Sequence, residues 1–205
     1  FFMIRTYNEL KSVITSKDYR FFNDSINLIG ERTSDVFTNQ FTDYLHIANK
    51  GTVDTISWTT KAGTYYVENP LTAWGTNIKT LQYENIQGVA VLKEGQYLQA
   101  YQFMDSYFGW LQYPYFQQVK DVLVYRDNDL DTHINRNSPI HFGNFGVNLH
   151  RMSNNGQAAG FIHNWSAGCN GTTEVDFKKL LIPVREDVKK FGNIFSYTLL
   201  NSEDF

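Results

Sequence analysis

Apolar positions along the chain change their period, and the changes predict the elements. Leu10, Val13 and Ile14 follow the i, i+3, i+4 rule of an amphipathic helix over 6–19, with Thr6 or Asn8 as its cap. A short apolar run over 26–29 predicts a strand that stops at Gly30. Phe37, Phe41, Tyr44, Leu45 and Ile47 fit a short helix inside the mixed stretch 33–50. From 52 to 60 the pattern turns to strand alternation around Val53, Ile56 and Trp58, and Thr64-Tyr65-Tyr66-Val67 continues the β signal until Asn69-Pro70. Further strands are predicted over 87–93, 96–103, 119–126, 145–150 and 193–200, bounded by Gly88, Gly95, Gly109 and Pro114. Two helical stretches, 176–181 and 184–191, are predicted to break at Pro183. The expected fold is mainly β with a few helices, of α+β class. One domain is expected over 1–205, with an N-terminal elaboration over about residues 1–50 and the chemistry concentrated in 119–200.

Composition narrows the function. The 42% hydrophobic and 19% charged content is that of a folded chain. A net charge of −3 with scattered Lys and Arg gives no basic stripe, which argues against nucleic acid. No apolar run is long enough to span a membrane, and Phe1-Phe2-Met3-Ile4-Arg5 shows no signal peptide. The single cysteine, Cys169, excludes an intrachain disulfide and a multi-thiolate zinc site.

Small residues surround that cysteine in Trp165-Ser166-Ala167-Gly168-Cys169-Asn170-Gly171. Such a loop leaves backbone N–H groups open to a substrate oxygen, as an oxyanion hole requires. A free thiol is mostly protonated at neutral pH, so a nucleophilic cysteine needs a base. His150 ends the strand Gly146-Val147-Asn148-Leu149, and the turn Asn154-Asn155-Gly156 lets the chain return over the 169 − 150 = 19 positions to the cysteine. His163 lies nearer in sequence, on a segment expected to enter the site as a strand. The other histidines are His46, His133 and His141.

His150, a spacer of fifteen residues and Ser166-Ala167-Gly168-Cys169 resemble the L,D-transpeptidase signature, a His followed by Ser/Thr-His-Gly-Cys. The wider stretches Tyr125-Arg126-Asp127-Asn128, Gly146 to Arg151 and Trp165 to Cys169 are similar to a divergent branch found in phages and Bacteroidetes. Asn27-Leu28-Ile29-Gly30-Glu31-Arg32-Thr33 and the stretch from Gly63 to Pro70 extend that resemblance over most of the chain. It implies an L,D-transpeptidase-like β-sandwich or barrel that acts on peptidoglycan in the cell envelope. By position, Cys169 is the nucleophile, His150 the base, and Ser166 and Gly168 shape the loop. Two positions depart from the signature: Ala167 stands where a His normally precedes Gly-Cys, and Asn170 follows the cysteine directly.

Arg151 is placed to hold a substrate carboxylate, and Trp165, Ala167 and Asn170 join it as substrate-facing candidates. Tyr97, Tyr101 and Trp110 are groove-wall candidates set against ordinary core packing. Asp127-Asn128-Asp129-Leu130-Asp131 has the spacing of a calcium loop. Thr132 and Ser138 break the EF-hand pattern, so a solvated turn is expected, with no metal and no cofactor. The function expected is hydrolysis of stem or cross-bridge peptides through a cysteine thioester, as in a phage-type wall hydrolase. Cross-linking by transpeptidation, or an inactive structural module of a virion, are the alternatives.

Overall fold

The structure is a computed structural model that describes residues 4–68, 88–105, 113–127, 129, 131–153 and 161–205. Among the described residues strand outweighs helix, 39% to 22%, which makes the fold mainly β. Three α-helices are present among the described residues: α1 (Tyr7–Ser16), α2 (Thr64–Glu68) and α3 (Glu174–Phe191). The strands are β1 (Asn27–Arg32), β2 (Asp43–Asn49), β3 (Thr52–Trp58), β4 (Val89–Leu92), β5 (Gly95–Met104), β6 (Tyr115–Gln118), β7 (Val122–Asp127), β8 (Ile140–Gly143), β9 (Leu149–Arg151), β10 (Asn170–Thr172) and β11 (Ile194–Asn201).

Eight of them form one sheet in the order β10-β9-β6-β5-β11-β1-β2-β3. The sheet almost closes on itself. Beyond the end of β3, Thr59 and Gly171 exchange both backbone hydrogen bonds, at 2.7 and 3.0 Å, so the two edge strands meet at a single seam. Cys169 lies two residues from that seam. The smaller sheet, β4-β7-β8, packs its Ala90, Leu92, Val122 and Val124 into the same core as Leu45, Trp58, Tyr101 and Phe116 of the larger one. β1 lies inside the large sheet, between β11 and β2. Two strands of the stretch 1–50, β1 and β2, are therefore part of the large sheet.

Several local expectations are corrected. The stretch 43–49 is strand β2, not helix. Leu45 and Ile47 face the main core, while Ala48 on the other face meets Leu10 and Ile14 of α1. With both faces covered, the alternation that announces a strand is erased. β1 runs through Gly30, because a Cβ there would lie 2.1 Å from the Tyr197 hydroxyl oxygen. Residues 64–68 make a single helical turn, nucleated by the Gly63 carbonyl, which accepts the N–H groups of Tyr66 and Val67. β6 and β8 were not foreseen, and 145–148 lies outside the short β9.

α3 continues through Pro183. Its Thr173 cap, acidic first turn and Gly192 at the end define one helix. Phe177, Leu180, Leu181 and Val184 form one buried stripe across the proline. Burying each contributes about 1.5–3 kcal/mol, which together exceeds the roughly 3 kcal/mol cost of an internal proline. α1 keeps the expected cap: Thr6 and Glu9 form a reciprocal capping box. No helix among the described residues is long and apolar enough to cross a membrane.

Candidate active site

β9 and β10 are parallel neighbours, with Leu149 opposite Asn170, His150 opposite Gly171 and Arg151 opposite Thr172. Extending that register by one residue sets Cys169 opposite Asn148. Cys169 therefore enters β10 beside the segment that leads into His150. Gly171 makes the pairing possible, since a Cβ there would approach the His150 carbonyl oxygen to 2.0 Å.

The loop that delivers the cysteine is fixed from four sides. Ser166 Oγ accepts the Gly168 N–H at 3.0 Å and donates to the Cys169 carbonyl at 2.8 Å. The Gly63 N–H bonds the Ser166 carbonyl at 2.9 Å, tying α2 to the loop. Asn39 receives the N–H of Ile162 on its carbonyl and that of His163 on its side chain. Gly168, at φ +134°, lies against β4, where a Cβ would come within 2.1 Å of the Ala90 carbonyl oxygen. Ser166 and Gly168 are thus both fixed within the loop.

The thiol donates to the Gly146 carbonyl at 3.4 Å. Among the described residues that carbonyl, not His150, is its hydrogen-bond partner, so the direct thiol–imidazole contact foreseen from the motif is absent in the resting geometry. The N–H groups of Asn148 and Cys169 point at the sulfur. Burial pushes the thiol up to about 11, with those two N–H groups acting in the opposite direction. Burial also pulls His150 down to about 4; the Arg151 carbonyl opposes this and the Arg151 charge adds to it. Both shifts favour the uncharged forms, so moving the proton from sulfur to imidazole before a substrate arrives is unfavourable. The resting pair is a neutral thiol and a neutral imidazole.

His150 Nδ1 lies 2.5 Å from the Arg151 carbonyl oxygen. A carbonyl only accepts, so Nδ1 carries the hydrogen and Nε2 presents the lone pair. Tyr113 adjoins this contact, its hydroxyl oxygen 3.3 Å from Nδ1 and 3.5 Å from the same carbonyl. The Tyr113 ring also meets Trp165 at 6.4 Å between centroids and carries the Arg151 guanidinium over its face at 4.2 Å.

The expected oxyanion hole changes its membership. Gly168 N–H is held by Ser166, Asn170 N–H by the Asn148 carbonyl and Gly171 N–H by Thr59. The Asn148 N–H, although near the sulfur, is held by the Gly146 carbonyl at 2.9 Å, which leaves the Cys169 N–H as the donor turned toward the sulfur. Asn170, expected to face substrate, is fully buried: it accepts from the Tyr197 hydroxyl at 3.2 Å and donates to the Gly168 carbonyl at 3.4 Å. Arg151 pairs with Glu174 at 3.0 Å. Trp165 and Ala167 are half-buried beside the thiol loop. Tyr97 and Tyr101 are buried core residues, not groove walls. Trp110, Asn69-Pro70, Gly109, Asn154-Asn155-Gly156, Asn128 and Leu130 lie outside the described residues.

His163 sits in an exposed turn, not a strand, and His141 on β8. Asp127 is buried next to Asp129 and Asp131, which together with burial push its carboxyl up to about 7. Among the described residues no three His, Cys, Asp or Glu side chains are arranged to hold a metal. Sequence reasoning missed Tyr113, Asn148 and the Gly146 carbonyl. The only sequence signal for Tyr113 was its place before Pro114 at a strand start. No protein-family model, no curated protein and no solved structure matches the chain.

Proposed function

We propose that the chain is a cysteine-dependent peptidase of L,D-transpeptidase-like architecture that cleaves peptidoglycan stem or cross-bridge peptides. The observation that supports the chemistry is the parallel β9–β10 register, which brings the backbone of His150 beside Gly171, two residues after Cys169. The choice of substrate rests on the sequence resemblance around His150 and Cys169.

The resting contact with Gly146 defines the first step. A bound peptide carbonyl draws the thiol off the Gly146 oxygen by rotation about the Cα–Cβ bond. His150 Nε2 then takes the thiol proton as sulfur attacks the carbonyl carbon. The oxygen that gains charge is received by the N–H group of Cys169. His150 returns the proton to the departing amine, leaving a thioester on Cys169. Water, deprotonated by His150, releases the acid and restores the thiol. Ala167 offers a smaller side chain than the usual His, which leaves a wider approach for that water. Such an enzyme acts at the wall, outside the cytoplasm, as a phage lysis or virion-associated enzyme does.

A second reading has one observation in its favour. The thiol is half-buried and bonded to Gly146 instead of His150, as in a module that keeps the loop and has lost turnover. Incubation with purified sacculi separates the readings. Mass spectrometry of the soluble products should show stem or cross-bridge peptides cut by the wild type and untouched by Cys169→Ser. New dimeric muropeptides formed at a comparable rate would restore transpeptidation, and an unchanged wall would favour the silent module.

A further inference from the structure

Among the described residues, Tyr113 touches the imidazole, the Arg151 carbonyl and the Arg151 guanidinium together. It is 6% exposed, and its hydroxyl closes a three-membered set with His150 Nδ1 and the Arg151 carbonyl at 3.3 and 3.5 Å. Because Nδ1 carries the hydrogen, Tyr113 Oη can only receive a second branch of that N–H, and its own O–H turns to the carbonyl. Its ring holds Arg151 at 4.2 Å from the centroid and lies 6.2 Å from the imidazole centroid. From α3, Glu174 faces the Arg151 guanidinium at 3.0 Å and is itself paired with Lys178 at 2.9 Å. Among the described residues, the Cys169 thiol and Tyr115 also lie close enough to Tyr113 to interact with it, and Tyr66 and Tyr101 lie near the thiol.

We infer that Tyr113 is a positioning residue for His150: its hydroxyl holds the imidazole with Nε2 unprotonated and facing its task, and its oxygen receives the charge as Nε2 accepts the thiol proton. This rests on reading Cys169 and His150 as the reacting pair. Without the hydroxyl the ring keeps one anchor, the Arg151 carbonyl. Arg151 then remains as a positive charge beside a ring that must itself become positive. The phenol is well suited to the role because burial raises its own pKa, so it stays a neutral dipole while the imidazole changes charge.

Iodoacetamide provides a test that needs no knowledge of the natural substrate. Sulfur displaces iodide, an S–C bond forms, and the thiol proton passes to His150 and then to solvent. With one cysteine in the chain, intact mass reports the product without ambiguity. Around neutral pH, Tyr113→Phe should slow alkylation by about 2- to 10-fold, the rate equivalent of one modest hydrogen bond. His150→Gln should slow it more. Both deficits should close above about pH 11, where the thiolate forms without a base. A Tyr113→Phe rate equal to wild type, or a deficit of the same size at every pH, overturns the role assigned to Tyr113. If His150→Gln also leaves the rate unchanged, the pairing of Cys169 with His150 falls as well. A slowed His150→Gln beside a normal Tyr113→Phe removes the tyrosine alone. Nitrogen NMR of the wild type checks the premise without any variant: at neutral pH Nδ1 should be protonated and Nε2 bare, and the reverse assignment overturns the inference.

Discussion

Replacing Asn170 by Ala tests whether the cysteine loop is held from inside the barrel. Asn170 is fully buried, and it links the Gly168 carbonyl to Tyr197, whose hydroxyl also receives the Trp58 indole N–H at 3.2 Å. Truncation removes one good and one long hydrogen bond. It leaves the buried Tyr197 O–H with no acceptor, a cost of about 1–3 kcal/mol. The small void left by the amide adds roughly another 1 kcal/mol. The expected loss is about 2–4 kcal/mol, or roughly 4–16 °C in Tm for a chain of this size. Thermal and urea melts of the wild type, Asn170→Ala, Tyr197→Phe and the double variant complete a cycle. Because the two side chains share a bond, the double variant should cost less than the sum of the singles by about 1–2 kcal/mol. A loss under about 0.5 kcal/mol for Asn170→Ala, or additivity within that margin, would refute the reasoning.

Gly168→Ala should unfold the loop or displace it, since its Cβ meets the Ala90 carbonyl at 2.1 Å and its φ is +134°; a variant with wild-type melting and unchanged Cys169 alkylation contradicts this. For His150 the sign of the pH effect follows from its depressed value of about 4. Below about pH 6.5 the unfolded chain takes a proton that the folded chain refuses until about pH 4, so stability falls across that window. His150→Gln should lack this component. The stability of wild type minus variant should therefore drop by up to about 3 kcal/mol between neutral pH and pH 4, and a difference that stays flat in urea melts rejects the buried neutral imidazole. Cys169→Ala should melt close to the wild type and give no turnover, because it removes one sulfur atom beside a loop held by other groups; residual wall cleavage contradicts the thiol's role.

What the sequence reveals depends on whether a signal lives in side chains or in backbone. α1 was legible because one face of Leu10, Val13 and Ile14 is buried and the other is wet. β2 was not, because α1 covers the face that solvent would otherwise mark. Thr64-Tyr65-Tyr66-Val67 carries β-favouring residues, yet the Gly63 carbonyl winds it into a turn of helix. At the site, the small residues around Cys169 and the position of His150 could be read directly. The atoms that hold the sulfur could not, since the Gly146 carbonyl and the Asn148 N–H belong to backbone that any sequence possesses. Asn170 misled for a related reason: a polar side chain beside a nucleophile suggests substrate, but this one satisfies a buried tyrosine.

The central claim is that Cys169 forms a thioester with a wall peptide, and the intermediate itself is the most direct object to measure. Purified muropeptides mixed with the protein and quenched in acid should add, on intact-mass analysis, the mass of the acyl fragment, mapped to Cys169 by peptide fragmentation and removable by hydroxylamine. His150→Gln should reduce the adduct and Cys169→Ser should lack the thioester. An unmodified Cys169 under conditions where the wild type cleaves sacculi, or an adduct on another residue, would contradict the account.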